Sequence, residues 1–278
     1  MFKEINMFNN IKKPETMDKH HNHEALFNQE WEKGQKNELI EALKAGEGFD
    51  KKLFELSGFK EAFAHKLTCL ECSDGRVNSH LGKLGLAGEG LLLEGEEWAE
   101  DRAILVQSIK EQGLTITGHE NCGAAGIVHP GPDSDNYGYQ KAKELVADTG
   151  NTYDEVHKDK FTSQIHNERT LVMEGTGRFN VADLEGFPGQ FISSASYFGL
   201  SAKYQKIEAK ALIGIALGDH SFGKRFDKEN PFYLIVSAKD EEQLKTVTAL
   251  AEEIAADYDG LVKVNGFIVP QEVLAQQV

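Results

Sequence analysis

The sequence predicts an α/β protein, a mostly parallel β-sheet flanked by helices, with an N-terminal helical arm. Two observations carry this prediction. From His65 onward, short apolar runs typical of strands alternate with longer amphipathic runs typical of helices. The first 60 or so residues lack this alternation and are polar or amphipathic. We therefore expect an arm over residues 1–63 and an α/β domain over residues 64–278.

The arm is predicted to contain two helices. An amphipathic stretch runs from Asn28 to Leu43 and ends at the glycines of the sequence Ala-Gly-Glu-Gly that follows Lys44. A shorter helix is predicted from Lys51 to Phe63. Because the arm has too few apolar residues for a core of its own, we expect it to pack on the main domain or on a partner subunit.

The α/β domain is predicted to alternate strands with helices and to contain no internal repeat. The predicted strands are Lys66–Cys72, Gly90–Glu94, Leu114–His119, Arg169–Glu174, Ala211–Leu217, Pro231–Ala238 and Leu261–Val269. The predicted helices are Glu96–Glu111, Gly123–Val128, Tyr137–Ala147, Ser194–Tyr204 and Glu241–Ala256. The stretch from Gly131 to Asn167 is predicted to be loop-rich.

Composition excludes several classes of function. The chain has 278 residues with 30 Lys and Arg against 45 Asp and Glu, so its formal net charge is −15. Such an acidic chain repels nucleic-acid phosphates and anionic lipid surfaces. No apolar run approaches the roughly 20 residues that cross a bilayer, and no signal peptide is recognisable, so we expect a cytoplasmic protein. Its three cysteines argue against a disulfide framework and leave metal binding or catalysis as special uses of thiol.

The most informative motifs follow two predicted strands. Cys72-Ser73-Asp74-Gly75-Arg76 follows the first strand, and Gly118-His119-Glu120-Asn121-Cys122-Gly123 ends the third. Ligands bind where the carboxyl ends of parallel strands converge. Cys72, His119 and Cys122 are donors of the kind that zinc prefers, and a set of three leaves one tetrahedral position open, as in catalytic zinc sites. The open position would hold a water that ionises to a hydroxide nucleophile.

Asp74 and Arg76 are expected to form a pair beside this site. One residue separates them, so on an extended segment both point to the same side, where a carboxylate and a guanidinium can form a bidentate ion pair. A carboxylate fixed in this way can orient the zinc hydroxide. In the alternative arrangement, Asp74 itself is the fourth zinc ligand, and Arg76 must draw it away to open the site.

These two motifs resemble those of the β-class carbonic anhydrases, over about residues 67–126. The resemblance implies a zinc enzyme that hydrates carbon dioxide to bicarbonate on a parallel-sheet fold. It further implies dimers or larger homo-oligomers with an N-terminal arm laid across the partner. By the same resemblance Cys72, His119 and Cys122 bind zinc, and Asp74 with Arg76 forms the orienting dyad.

The chain departs from the family pattern in one region. The family usually carries Arg-x-Ala-Gly-Asn after its second strand, whereas residues 85–89 are Gly-Leu-Ala-Gly-Glu, before the predicted second strand. Two alternatives therefore stay open. One is a related zinc hydrolase of carbon disulfide or carbonyl sulfide, and the other is a non-catalytic protein that binds zinc or senses bicarbonate.

Three further residues have weaker signals. Cys69 lies three residues before Cys72, the spacing of a closed Cys₃His zinc site, but residues three apart on a strand face opposite sides, so we expect Cys69 in the core. Asp219 and His220 follow the predicted strand Ala211–Leu217. Asp219 is a candidate for the pocket lining and His220 for proton transfer, and a capped turn explains them equally well.

Overall fold

The structure is a computed structural model that describes residues 17–46, 48–77, 82–163, 165–180, 189–219 and 221–275, with side chains from residue 24 onward. The strands are β1 (Cys69–Glu71), β2 (Lys83–Gly85), β3 (Thr115–His119), β4 (Tyr153–Val156), β5 (Glu168–Glu174), β6 (Gly189–Ser193), β7 (Phe232–Ala238) and β8 (Val262–Ile268). The helices are α1 (Met17–Gln35), α2 (Glu38–Lys44), α3 (Phe49–Glu55), α4 (Ala99–Gln112), α5 (Gly123–Val128), α6 (Ser134–Thr149), α7 (Ala195–Phe198), α8 (Ala202–Ala216), α9 (Glu241–Ala255) and α10 (Gln271–Leu274).

The predicted α/β class with parallel strands and flanking helices is confirmed. The described strands form two four-stranded sheets in the orders β2-β1-β3-β4 and β6-β5-β7-β8. Every strand pairing in both sheets is parallel. No helix among the described residues is long and apolar enough to cross a membrane.

Two of the predicted strands are wrong. The apolar run Ala211–Leu217 is the end of α8, because a short buried run has the same composition in a helix as in a strand. The segment Gly90–Glu94 continues a stretch of 3₁₀ turns in which Gly88, Glu89 and Gly90 have φ of 57°, 55° and 96°. Left-handed backbone of this kind cannot continue a strand.

The true second strand is β2, so the Gly85–Glu89 stretch follows the second strand rather than preceding it. Strands β4 and β6 were also missed. The segment from Gly131 to Asn167, expected to be loop-rich, contains the 16-residue helix α6 as well as β4. The helix predicted over Ser194–Tyr204 is interrupted by Gly199, whose φ of 73° ends α7 before α8 begins.

The N-terminal arm packs on the second sheet of the same chain. The long helix predicted from Asn28 to Leu43 breaks after α1, where the Asn37 side chain accepts a hydrogen bond from the Leu39 amide and begins α2. Further along the arm, the ring of Phe63 lies 6.1 Å from the ring of Phe267 on β8. The buried apolar arm residues from Leu39 to Phe63 share one hydrophobic cluster with β5, β6, β7 and β8, and Phe27 of α1 belongs to a second cluster of the same sheet.

The two sheets meet at their edge strands β2 and β6. The Ile192 amide donates to the Ser73 carbonyl over 3.1 Å, and the Ser194 amide donates to the Gly85 carbonyl over 2.7 Å. A hydrophobic cluster combines side chains of the first sheet and α4 with Phe198 and Tyr204 from α7 and α8. The junction therefore carries both backbone hydrogen bonds and core packing, and it lies beside the loop that follows β1.

Candidate metal centre

The structure brings the three predicted donors together. Cys72 directly follows β1, His119 is the last residue of β3, and Cys122 precedes the first residue of α5. Their donor atoms all lie within 4.8 Å of one another, and each of the three residues is at most 5% exposed. Because β1 and β3 are adjacent parallel strands, their carboxyl ends place both motifs at one edge of the sheet.

The His119 ring is oriented as a metal ligand. Its Nδ1 lies 2.7 Å from the backbone carbonyl of Glu120 and donates a hydrogen bond to that oxygen. Its Nε2 is buried and has no hydrogen-bond partner among the described residues. An unpartnered imidazole nitrogen facing two thiols is costly unless an ion binds it, so the site fits a metal that prefers sulfur and nitrogen.

The two thiols differ strongly in acidity without a metal. A hydrogen bond from Cys122 and the nearby charge of His119 hold the pKa of Cys72 well below its usual range, although burial opposes them. The pKa of Cys122 is raised well above its usual range, because it donates that hydrogen bond and is buried. Burial lowers the pKa of His119, but the Cys72 thiolate raises it more, to about 9. The pocket therefore already holds a thiolate, the form that binds metal.

Asp74 and Arg76 form the predicted bidentate pair. Asp74 Oδ1 accepts from the Arg76 Nε over 3.0 Å and from the Arg76 backbone amide over 2.9 Å. Asp74 Oδ2 accepts from Arg76 Nη2 over 2.6 Å. Burial alone would raise the pKa of Asp74, but His166 and Arg76 together hold it well below its usual range. The carboxylate is thus ionised, fixed and buried.

Asp74 belongs to a second group of side chains that has the composition of a metal site. Ligand atoms of Asp74, His166 and Glu168 all lie within 4.8 Å of one another. His166 Nδ1 lies 3.2 Å from both carboxylate oxygens of Glu168, which raises the pKa of His166 although burial lowers it. Arg76 already occupies the Asp74 oxygens. We therefore interpret Arg76, Asp74, His166 and Glu168 as neighbouring residues of alternating positive and negative charge. Together they hold Asp74 beside the three donors.

A buried acidic residue, Glu89, and the backbone amide before it adjoin the donors. The Gly88 amide donates to Cys72 Sγ over 3.2 Å, which stabilises a thiolate there. The next residue, Glu89, is buried in the left-handed conformation, and its Oε1 has no partner among the described residues. Burial and then the Cys72 charge raise the pKa of Glu89 well above its usual range. Burial thus favours the neutral form of Glu89, one residue after the amide that contacts Cys72.

The loop from Cys72 to Val77 is held by a buried lysine and a buried glutamate. Lys83 on β2 donates its ammonium to the carbonyls of Cys72 over 3.1 Å, of Asp74 over 2.7 Å, and of Val77. Glu208 on α8 accepts from the Ala87 amide over 2.6 Å, from the Ser73 hydroxyl over 3.3 Å, and from the Ser193 hydroxyl. Burial raises the pKa of Glu208 to about 7.

A narrow pocket opens beside the donors. Its polar lining comes from Cys72, Asp74 and His166, and the rest is apolar: Ala87, Leu92, Gly123, Ala124, Ile127, Phe191, Ala211, Leu212 and Ile215. The enclosed space admits little more than a water-sized molecule. The pocket therefore suits a very small, weakly polar ligand.

Several sequence predictions for the site have clear outcomes. Cys69 is fully buried on β1, with its Sγ 2.9 Å from Thr117 Oγ1, and does not join the three donors. Asp219 is exposed after α8, and His220 lies outside the described residues. His166, Lys83 and Glu208 were missed, because their roles depend on contacts between segments far apart in the sequence. Lys83 between Gly82 and Leu84 was a weak signal, whereas Glu208 stands between Lys206 and Lys210 and resembles a surface residue.

Comparison with protein-family models, with curated proteins and with solved structures finds no match to this chain. We therefore derive its function from the residues of the site and from the motif resemblance.

Proposed function

We propose that the protein is a zinc enzyme of the β-class carbonic anhydrase type that hydrates carbon dioxide to bicarbonate. One observation carries the proposal: the donors of Cys72, His119 and Cys122 lie within 4.8 Å of one another beside the ionised Asp74–Arg76 pair. Zinc held by three protein donors lowers the pKa of a water in its open position to about 7 and supplies a nucleophile at neutral pH.

The role of Asp74 is to orient that water. Both of its oxygens are held by Arg76, and it groups with His166 and Glu168 rather than with the three donors, which favours an open fourth position. An ionised carboxylate in a fixed position accepts one hydrogen of the water and aims a lone pair toward the substrate. Arg76 acts through Asp74 by fixing its geometry and keeping it charged.

The lining of the pocket favours carbon dioxide as the substrate. Carbon dioxide is small, linear and uncharged, and side chains such as Leu92, Ile127 and Leu212 offer it an apolar surface next to the donors. A neutral substrate needs no electrostatic attraction, so a net charge of −15 does not hinder its approach.

Stopped-flow measurement of carbon dioxide hydration tests the proposal. The zinc-loaded native protein should accelerate hydration above the buffer rate, and Asp74→Ala should lower kcat roughly 10- to 100-fold with zinc content unchanged. Asp219→Ala, at an exposed aspartate, is the matched control and should keep the native rate. A zinc-loaded native protein without activity above buffer would refute the proposal.

The same preparation separates the two alternatives. Release of sulfide from carbon disulfide or carbonyl sulfide, without carbon dioxide hydration, would identify the related hydrolase. Binding of bicarbonate to the zinc protein without any turnover would identify a sensor. Assembly into homodimers or larger homo-oligomers, which the resemblance implies, stays a prediction that sedimentation velocity tests.

A further inference from the structure

The second sheet has the same topology as the first. Numbered within each half of the chain, both sheets have the order second-first-third-fourth strand, with all strands parallel. In both halves a helix connects the second strand to the third, namely α4 in the first half and α8 in the second. Helices α5 and α6 follow the third strand of the first half, and α9 follows the third strand of the second half.

The strand pairings define which residues correspond in the two sheets. In the first sheet Leu70 pairs with Leu84 and with Ile116, and Ile116 pairs with Tyr153. In the second sheet, Val172 takes the place of Leu70: it pairs with Ile192 and with Ile235, and Ile235 pairs with Asn265. Placing Leu70 on Val172 therefore assigns a counterpart in the second sheet to each of the four strands of the first sheet. The correspondence is anchored by this placement, and the relationship between the halves rests on the shared strand order and on the residues that recur after the first strand.

This register aligns the two loops that follow the first strands. Residues 71–78 are Glu-Cys-Ser-Asp-Gly-Arg-Val-Asn, and residues 173–180 are Met-Glu-Gly-Thr-Gly-Arg-Phe-Asn, so Gly, Arg and Asn recur in the same places. The donors do not recur. Glu174 stands in the place of Cys72, Ala238 in that of His119, and Glu241 in that of Cys122.

The second half instead supplies part of the metal pocket. His166, Phe191, Leu212 and Ile215 belong to the second half, and all four line the pocket beside Cys72. A Cβ placed on Gly123, next to Cys122, would lie 3.0 Å from Cδ1 of Ile215. The halves join through β2 and β6, which hold equivalent positions at the edges of their sheets.

We propose that residues 165–274 are a degenerate copy of the metal-binding half that has lost its donors and now forms the apolar wall of the metal pocket within the same chain. The assignment rests on the proposed metal site. Within the described residues the apolar wall of the Cys72, His119 and Cys122 site comes from the same chain, and the substrate space is set by Ile215, Leu212 and Phe191 of the copy.

Anion binding to the cobalt-substituted full chain tests the wall without measuring turnover. Azide has the size and shape of carbon dioxide, and its binding is followed in the visible absorption of the cobalt ion. Ile215→Trp should weaken azide binding at least about tenfold, because the larger ring fills the pocket. Ile207→Trp changes a residue of the same helix that is 42% exposed, and it should bind azide like the native protein. Equal azide affinity in both variants would overturn the proposal.

Alkylation of the metal-free full chain by iodoacetamide gives a second readout. Mass spectrometry separates modification of Cys72 and Cys122 from that of Cys69. Modification of the first two should be slower in Ile215→Trp and faster in Ile215→Ala than in the native protein. Identical alkylation rates of Cys72 and Cys122 in all three proteins would overturn the assignment of Ile215 to the pocket wall. This readout does not require the protein to take up cobalt. Azide binding without carbon dioxide hydration would refute only the proposed function.

Discussion

Replacing Glu208 by glutamine should make the stability of the protein less dependent on pH. Glu208 is fully buried, and its carboxylate accepts hydrogen bonds from the Ala87 amide and from the hydroxyls of Ser73 and Ser193. Burial nevertheless raises its pKa from 4.5 to about 7. The folded state therefore binds a proton at pH values where the unfolded state has released it.

The sign and size of the effect follow from proton linkage. Because the pKa is raised on folding, the stabilisation from Glu208 is complete below pH 4.5 and is lost as the pH rises through about 7. A shift of about 2.5 pKa units corresponds to about 3.4 kcal/mol, of which about 2.5 kcal/mol is lost between pH 5 and pH 8. Glutamine resembles the neutral acid in shape and cannot ionise, so Glu208→Gln should not show this loss.

Urea unfolding of the metal-free proteins measures the difference directly. The free energy of unfolding of the native protein should fall by about 2.5 kcal/mol more than that of Glu208→Gln between pH 5 and pH 8. Other titrating groups contribute equally to both proteins and cancel. Parallel pH profiles for the two proteins would show that the Glu208 pKa is not raised, and that the interpretation of its burial is wrong.

Three other predictions concern metal content, the ion pair and the arm. In elemental analysis, Cys122→Ser should lower the zinc content from about one per chain to near zero, whereas Cys69→Ser should keep its zinc. Equal zinc content in the two variants would contradict the assignment of Cys122 as a donor. Arg76→Ala removes the guanidinium that donates to both Asp74 oxygens and leaves His166 as the positive charge beside this buried carboxylate, so chemical denaturation should show a loss of about 3–5 kcal/mol. A loss below about 1 kcal/mol would show that the pair is solvated. Phe63→Ala empties a fully buried ring position, and the same assay should show a loss of about 3–5 kcal/mol unless the arm is detached in solution.

The donors could be predicted from sequence because their signal is local. Cys72 and His119 each end a short apolar run, and residues at the ends of adjacent parallel strands are brought together by the sheet itself. The strands β7 and β8 were found for a related reason, since each is a run of seven residues rich in β-branched or aromatic side chains, and β5 was found from the apolar residues 171–173 at its centre.

The features that were missed depend on contacts between distant segments. Strand β2 is three residues long and begins with Lys83, and a lysine in such a short segment indicates an exposed position. The structure buries it because its ammonium donates to three backbone carbonyls. The copied half was missed because only Gly, Arg and Asn recur around the loops, which is too little for a sequence comparison to detect. The relationship is visible instead in the strand order, which is the same in both sheets.

The fluorescence of the two tryptophans reports on how the arm and the two halves of the chain pack together. The guanidinium of Arg169 lies 4.0 Å from the centre of the Trp31 ring, and the ammonium of Lys203 lies 4.1 Å from that of Trp98. Both rings belong to the arm or the first half, and both cations belong to the second half. A nearby positive charge shifts the emission of indole. Because Trp31 packs against Phe222 and Phe226 of the second half, separating the halves removes the cation from Trp98 alone. Partial opening of the arm changes only Trp31, which makes the two motions distinguishable by fluorescence without any added label.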